Sequence, residues 1–241
     1  MWHPFSAPLY NPALVRFFVT GTDTNVGKTE VAAALLGLLA AQGHEPFAFK
    51  PYESGVSNLA APADALRLQA AARTDQPLDT VSLFRFKRAL APGIAAQREG
   101  RPTEWRTTVR VYRSFTSDWG VVEGAGGLFV PLDSRHDVID LISALGAPVV
   151  LVARAGLGTI NHSSLSVEAL RRRRITIAAL VLNATSPGPD PSAEGNRDEL
   201  RRRFPRLNIL GPGRFVKERA RRDAMLRAML QPLAEVALDV F

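Results

Sequence analysis

The chain has 241 residues, 46% hydrophobic and 22% charged, the balance of a globular protein with ample core. It contains no cysteine, which excludes disulfides, thiolate metal sites and cysteine nucleophiles and suits a reducing compartment. The net charge of +7 is concentrated in arginine-rich segments at 171–174, 201–203 and 217–222, at the ends or starts of expected helices and without interleaved aromatics. That distribution favours a solvated surface over a nucleic-acid face. No apolar run approaches the ~20 residues that span a bilayer. The opening residues MWHPFSAPLYNP lack the basic region of a signal peptide, so the expectation is a cytoplasmic protein without a membrane or nucleic-acid partner.

Residues 1–14 read as an irregular extension and 15–241 as one domain. The first strand, Val15–Thr20, runs into Gly21-Thr22-Asp23-Thr24-Asn25-Val26-Gly27-Lys28-Thr29, and an alanine- and leucine-rich helix follows over Lys28–Ala41. Strand, glycine-bearing loop and helix N-terminus in that order make a phosphate cradle, with backbone N–H groups and the helix dipole facing one concavity. Lys28 is placed to reach terminal phosphates and the Thr29 hydroxyl to sit on Mg²⁺. The match to G-x-x-x-x-G-K-[ST] is imperfect, since Thr22 stands where the first glycine belongs. Further strands are expected at Pro46–Lys50, Gly120–Glu123, Pro148–Ala153, Ile175–Asn183 and Leu207–Leu210. Helices are expected at Ala63–Ala72, Thr103–Thr116, Asp137–Leu145, Thr159–Arg173, Ala193–Phe204 and Glu218–Leu238. Near-continuous apolar strands alternating with helices predict a doubly wound, mostly parallel α/β sheet with helices on both faces.

Ligands of such sheets bind beyond the carboxyl ends of the strands. Lys50 ends the second strand ahead of Pro51 and is either a surface lysine or a second cation beside the loop, where phosphoryl transfer collects negative charge. Glu123 ends a buried strand before a Gly-rich turn, where a charge is costly without a partner, and it suits Mg²⁺ shared with Thr29. Asp64, near a helix start, is by position alone more often a dipole-facing carboxylate than a metal ligand. The segment Gly156–Asn161 offers a second anion site at a helix start, or simply an N-cap at Thr159. His162 and the other histidines have no metal-ligand spacing.

GTDTNVGKT, KPYESG, the Asp64 helix, VEGAGGLFVPL, VVLVARAGLGTINHSSLSVEAL and VLN occur in this order. Together they resemble the dethiobiotin synthetase family, the ATP-dependent carboxylases of biotin synthesis, over about Val15 to Asn183. The resemblance implies a phosphate-loop NTPase fold, ATP as co-substrate and Mg²⁺. It also implies a reaction: CO2 adds to an amine of 7,8-diaminopelargonic acid, ATP phosphorylates the carbamate, and the second amine closes the ring to give dethiobiotin, ADP and phosphate. By the same resemblance Lys28 and Lys50 stabilise the carbamate and the transferring phosphoryl. Thr24, Asn25, Val26, Gly27, Lys28 and Thr29 hold the nucleotide phosphates, and Asn183 reads the adenine. Thr29, Asp64 and Glu123 ligate Mg²⁺, Ser54 touches the reacting substrate, and Gly124, Ala125, Gly126 and Gly127 line the diamine pocket. Gly158, Thr159, Ile160 and Asn161 of a second subunit take the substrate carboxylate, which implies a homodimer with the site at its interface. On this reading Lys50→Ala removes turnover and leaves the fold intact.

Thr22 departs from the general phosphate-loop pattern but not from that of the family, whereas three other positions do depart from the family pattern. Asn25 stands where relatives often carry an acid, Pro92-Gly93 where they have Pro-His, and Leu210–Arg214 lacks a proline two residues after Pro212, leaving base contacts there open. Two rivals share the fold. Amidotransferase synthetases carry a glutaminase domain with a cysteine nucleophile, which this chain lacks. Partition and septum-site ATPases usually show a second lysine early in the loop, where this chain has Thr22-Asp23, although the mixed helix Glu218–Leu238 leaves surface association open.

Overall fold

A computed structural model describes residues 15–188 and 190–238. The expected irregular extension at 1–14 lies outside them. Elements follow in the order β1 (Val15–Gly21), α1 (Lys28–Ala41), β2 (Phe47–Phe49), β3 (Tyr52–Ser54), α2 (Ala63–Ala72), α3 (Leu78–Val81), β4 (Phe84–Phe86), α4 (Pro92–Glu99) and α5 (Trp105–Ser114). They continue with β5 (Trp119–Glu123), α6 (Val138–Leu145), β6 (Val149–Arg154), α7 (Thr159–Arg172), β7 (Ile177–Asn183), α8 (Ala193–Arg203), β8 (Ile209–Leu210) and α9 (Arg219–Leu238). Six strands form one sheet in the order β2-β5-β1-β6-β7-β8, every pair parallel.

The two-residue side-chain period of the strands explains why their sequences read as unbroken apolar runs. Phe17, Val19, Val121, Val150, Val152 and Val181 point to one face and pack under α1, α2 and α9. Phe18, Val122, Leu151, Leu180 and Leu182 point to the other and pack against α5, α6, α7 and α8. Both faces are covered, which is the doubly wound arrangement. With Val19 opposite Glu123 in the register of β1 and β5, the loop after β1 leaves the sheet beside that carboxylate.

Several boundaries differ from the sequence reading. The run Pro46–Lys50 forms a strand only over Phe47–Phe49. Lys50 N–H turns aside to Val81 O at 2.7 Å, and the chain restarts as β3, paired with β4 in a separate two-stranded parallel ladder. The strand expected from Ile175 starts at Ile177, and the one expected from Leu207 is only Ile209–Leu210. The short α3 and α4 were not foreseen. The arginine-rich segments lie mostly exposed, as expected, and several of their side chains also have acidic partners: Arg173 with Asp140 at 2.9 Å, Arg202 and Arg203 with Glu199, and the less exposed Arg222 with Glu30 at 2.9 Å. Among the described residues no helix is long and apolar enough to cross a membrane.

Candidate functional site

The loop between β1 and α1 is shaped by backbone geometry. Thr22 N–H donates to Val152 O at 2.9 Å, tying the loop to β6. Asn25 and Gly27 adopt left-handed φ of 55° and 95°. At Gly27 a β-carbon would also run into the Asn183 side-chain amide, so glycine is required twice over. Asn183, at the end of β7, donates from Nδ2 to Val26 O at 3.0 Å and so braces the loop from below. The Asp23 carboxylate accepts Thr24 N–H at 2.7 Å and Arg154 Nη2 at 2.6 Å. Lys28 is buried, and its ammonium donates to Asp23 O at 2.8 Å. Burial, and then the nearby Lys50 charge, bring its pKa down to about 8.

Four segments bring charge to the mouth of this loop. Thr29 Oγ1 donates to Glu123 Oε1 at 2.9 Å. The same Oε1 pairs with Lys50 Nζ, and both side chains are buried. Lys50 also faces Asp64 Oδ2 at 3.3 Å and Gly124 O at 3.4 Å. Burial works against the Lys50 charge, but Glu123 and Asp64 outweigh it and hold its pKa above the ordinary lysine value. Lys50 is therefore an ammonium across the physiological range, and the surface-lysine alternative is gone. Glu123 Oε2 is buried and has no hydrogen-bond partner, an acceptor left open beside a hydroxyl and a second carboxylate. Oxygen donors of this kind suit Mg²⁺, which typically takes one or two carboxylates and fills its other positions with phosphate and water. An all-protein metal cage is not formed: among the described residues no three His, Cys, Asp or Glu side chains are arranged to hold an ion.

The remaining expected residues lie around this cluster. Ser54, half-buried, ends β3. The Gly124–Gly127 turn folds back on the sheet, with Gly124 N–H on Val19 O at 2.9 Å. A β-carbon on Gly124 would press on the Phe18 ring at 2.9 Å, and one on Gly127 would stand 3.5 Å from Gly21 O, so this turn lies close against the start of the phosphate loop. Gly158, with φ of 89°, is the N-cap of α7. Thr159 is thus not the N-cap; it is fully buried, with Oγ1 3.3 Å from Ser163 Oγ. Ile160 is half-buried and Asn161 exposed. Among the described residues no hydrogen bond or ion pair joins Gly158–Asn161 to the Lys28–Lys50–Glu123 cluster.

Sequence reasoning passed over Glu53 and Arg154. Glu53 is buried and accepts the N–H groups of Asp64 and Ala65 at 3.0 and 3.1 Å. The one available signal was a carboxylate three residues after Lys50 in the same strand-end segment. Arg154 ends β6, a strand end already recognised, but its partner Asp23 is 131 residues away.

A family of AAA domains matches residues 15–212. The ATP-dependent dethiobiotin synthetase of Anaeromyxobacter sp. (strain K) is 48% identical over 187 residues, 77% of this chain and 83% of that protein. The enzyme of the same name from Bacillus subtilis (strain 168) is 35% identical over 195 residues, 77% of this chain and 81% of that protein. Among solved structures, the septum site-determining protein MinD of Pyrococcus horikoshii OT3, complexed with Mg-ADP, superposes with a TM-score of 0.50 at 13% identity, covering 94% of this chain and 95% of that one. That likeness concerns the fold alone, a mostly parallel sheet with helices on both faces.

Proposed function

This chain belongs to the family of ATP-dependent dethiobiotin synthetases, and we propose that the strand-end cluster of lysines and carboxylates is where it carries out that reaction. The protein is an ATP-dependent ligase that forms C–N bonds. The observation that carries the site assignment is the convergence of Thr29, Lys50 and Asp64 on or beside the buried Glu123 carboxylate, at the mouth of a loop built for phosphates.

An amine of 7,8-diaminopelargonic acid attacks CO2 and loses a proton, giving a carbamate. One carbamate oxygen then attacks the γ-phosphorus of ATP, the bond to ADP breaks, and a carbamic–phosphoric anhydride forms. The second amine adds to the carbamate carbon, the C–O bond to phosphate breaks, and loss of a proton leaves the cyclic urea of dethiobiotin. Each step before ring closure gathers anionic oxygens. Lys50, held charged by its carboxylates, and Lys28, whose ammonium exchanges the Asp23 carbonyl for phosphate oxygens, stabilise them. Thr24–Thr29 supply backbone donors to the phosphates. Asn183, held beside the loop by its hydrogen bond to Val26 O, reads the adenine edge. Thr29, Asp64 and Glu123 would hold Mg²⁺, which when bound neutralises phosphate charge. Ser54 and the Gly124–Gly127 turn approach the diamine.

The segment Gly158–Asn161 serves the substrate carboxylate of a second subunit, in a homodimer. Leu157 is 85% exposed immediately before it, Leu165 is 63% exposed on α7, and Phe129 is 64% exposed just after the glycine turn. Large exposed apolar side chains flanking both substrate segments support coverage by another copy. The cytoplasm, where ATP is supplied, is the place of action, and 15–241 acts as one domain. Incubation of the purified protein with 7,8-diaminopelargonic acid, bicarbonate, Mg²⁺ and ATP is expected to yield dethiobiotin by mass spectrometry, and none with Lys28→Ala. ATP hydrolysis without dethiobiotin would sink the assignment.

A further inference from the structure

Glu53 takes no part in the reaction set out above, yet it is a carboxylate only 5% exposed, three positions beyond Lys50. Both its oxygens serve one element. Oε1 accepts Asp64 N–H at 3.0 Å and Oε2 accepts Ala65 N–H at 3.1 Å. These donors lie in the first turn of α2, where no intrahelical partner exists, and the N-cap residue, Pro62, offers no side-chain acceptor. The carboxylate therefore replaces the missing cap, and its charge faces the positive end of the helix. It fixes the turn to β3, the segment that continues from Lys50. The Asp64 side chain, 41% exposed, is partnered by Lys50 at 3.3 Å. Its placement follows from the orientation of the turn that carries it.

We propose that Glu53 is a positioning residue for the ligase reaction: it locks the first turn of α2 so that the Asp64 carboxylate stands beside Lys50 at the mouth of the phosphate loop. The inference rests on the reading of Asp64 as a ligand of the active site. Glu53→Gln keeps the volume but turns an amide NH2 toward one of the two backbone donors. Outer partners that orient a ligand typically change affinity or rate 10- to 100-fold when replaced. The expectation for Glu53→Gln is a kcat lowered about 10-fold or more, with KM for ATP changed less than about twofold, because the phosphate loop is untouched. Mn²⁺ binding to the enzyme–ADP complex, followed by electron paramagnetic resonance, weakens by about 10-fold. The Asp64 and Ala65 amides exchange hydrogen faster while α1 does not.

The comparison with Asp64→Asn and the double variant separates this account from a general structural role and from a direct effect of the Glu53 charge on Lys50, which it also supports. If Glu53 acts through Asp64, the double variant is no slower than Asp64→Asn alone. Losses that multiply, or a Glu53→Gln enzyme with unchanged kcat and Mn²⁺ affinity, overturn the proposal while leaving Asp64 in place. Full activity in Asp64→Asn overturns the reading of Asp64 and this inference with it. Should Glu53→Gln not fold, Glu53→Asp, which keeps both acceptors but withdraws them by one methylene, carries the same comparison.

Discussion

Lys28 and Lys50 share one site and are perturbed in opposite directions. Burial and the neighbouring ammonium lower Lys28 to about 8, whereas two carboxylates hold Lys50 above its ordinary value despite complete burial. For Lys28 the sign of the linkage is definite. Below pH about 8 folded and unfolded chains both carry the proton, and the cost of burying the charge is fully present. Between about 8 and 10.5 the unfolded chain holds a proton that the folded one has released, so this group's contribution makes stability rise with pH. Phosphates restore the charge, so ADP binding at about pH 9 takes up a proton. Calorimetric titration in buffers of different ionisation enthalpy is expected to show that uptake, and to lose it in Lys28→Met. Lys50 is a different case. Sequence alone suggested that Lys50→Ala would spare the fold, but that change strands the buried Glu123 carboxylate. Turnover is expected to vanish and thermal denaturation to show a loss of about 3–5 kcal/mol. A melting curve matching wild type would contradict the pairing. Lys50 and Glu123 were legible because they stand at strand ends, and Lys28 because it opens a helix after a glycine-bearing loop. Glu53 was not, because its work is done through backbone N–H groups 11 and 12 residues on, which no side-chain pattern records.

The long elements were legible because a 14-residue helix or a seven-residue apolar strand repeats its period often enough to be recognised. β3 and β4, three residues each, are too short for that. α4 escaped for another reason. It opens with Pro92 at its first position and Gly93 at its second, a pair that reads as a turn. The structure explains the glycine: a β-carbon there would meet Asp133 N and Pro131 O at 3.1 Å and Leu132 C at 3.2 Å, all backbone. Close approach of α4 to 131–133 thus accounts for glycine at position 93. Gly93→Ala is expected to destabilise by about 1–3 kcal/mol, as overpacking does, despite the gain in helix propensity. Denaturant unfolding checks this, and a more stable variant would refute the close approach. At the phosphate loop, Gly27→Ala meets both a forbidden φ and the Asn183 amide. ADP binding by calorimetry is expected to disappear in that variant while the far-ultraviolet circular dichroism stays native.

Across the whole molecule, the doubly wound sheet was legible from strand and helix alternation, and the arginine-rich surface only in part. Arg222 and Arg67 both reach Glu30, and Arg67 also reaches Asp223, so the start of α9 is bound by ions to α1 and α2. Such partners lie up to 192 residues apart and leave no local trace. The exposed Leu157 and Leu165 bear on assembly. Leu157→Asp with Leu165→Asp is expected to give a monomer by analytical ultracentrifugation that binds ADP normally and makes little dethiobiotin. A dimeric, fully active double variant would remove the second subunit from the site. The chemistry itself is tested most directly with ¹⁸O-labelled bicarbonate, supplied with diamine, Mg²⁺ and ATP and quenched before the label washes into water. A phosphorylated carbamate passes one of its oxygens to phosphate, so the account predicts inorganic phosphate carrying one ¹⁸O per dethiobiotin formed. Dethiobiotin accompanied by unlabelled phosphate would contradict it.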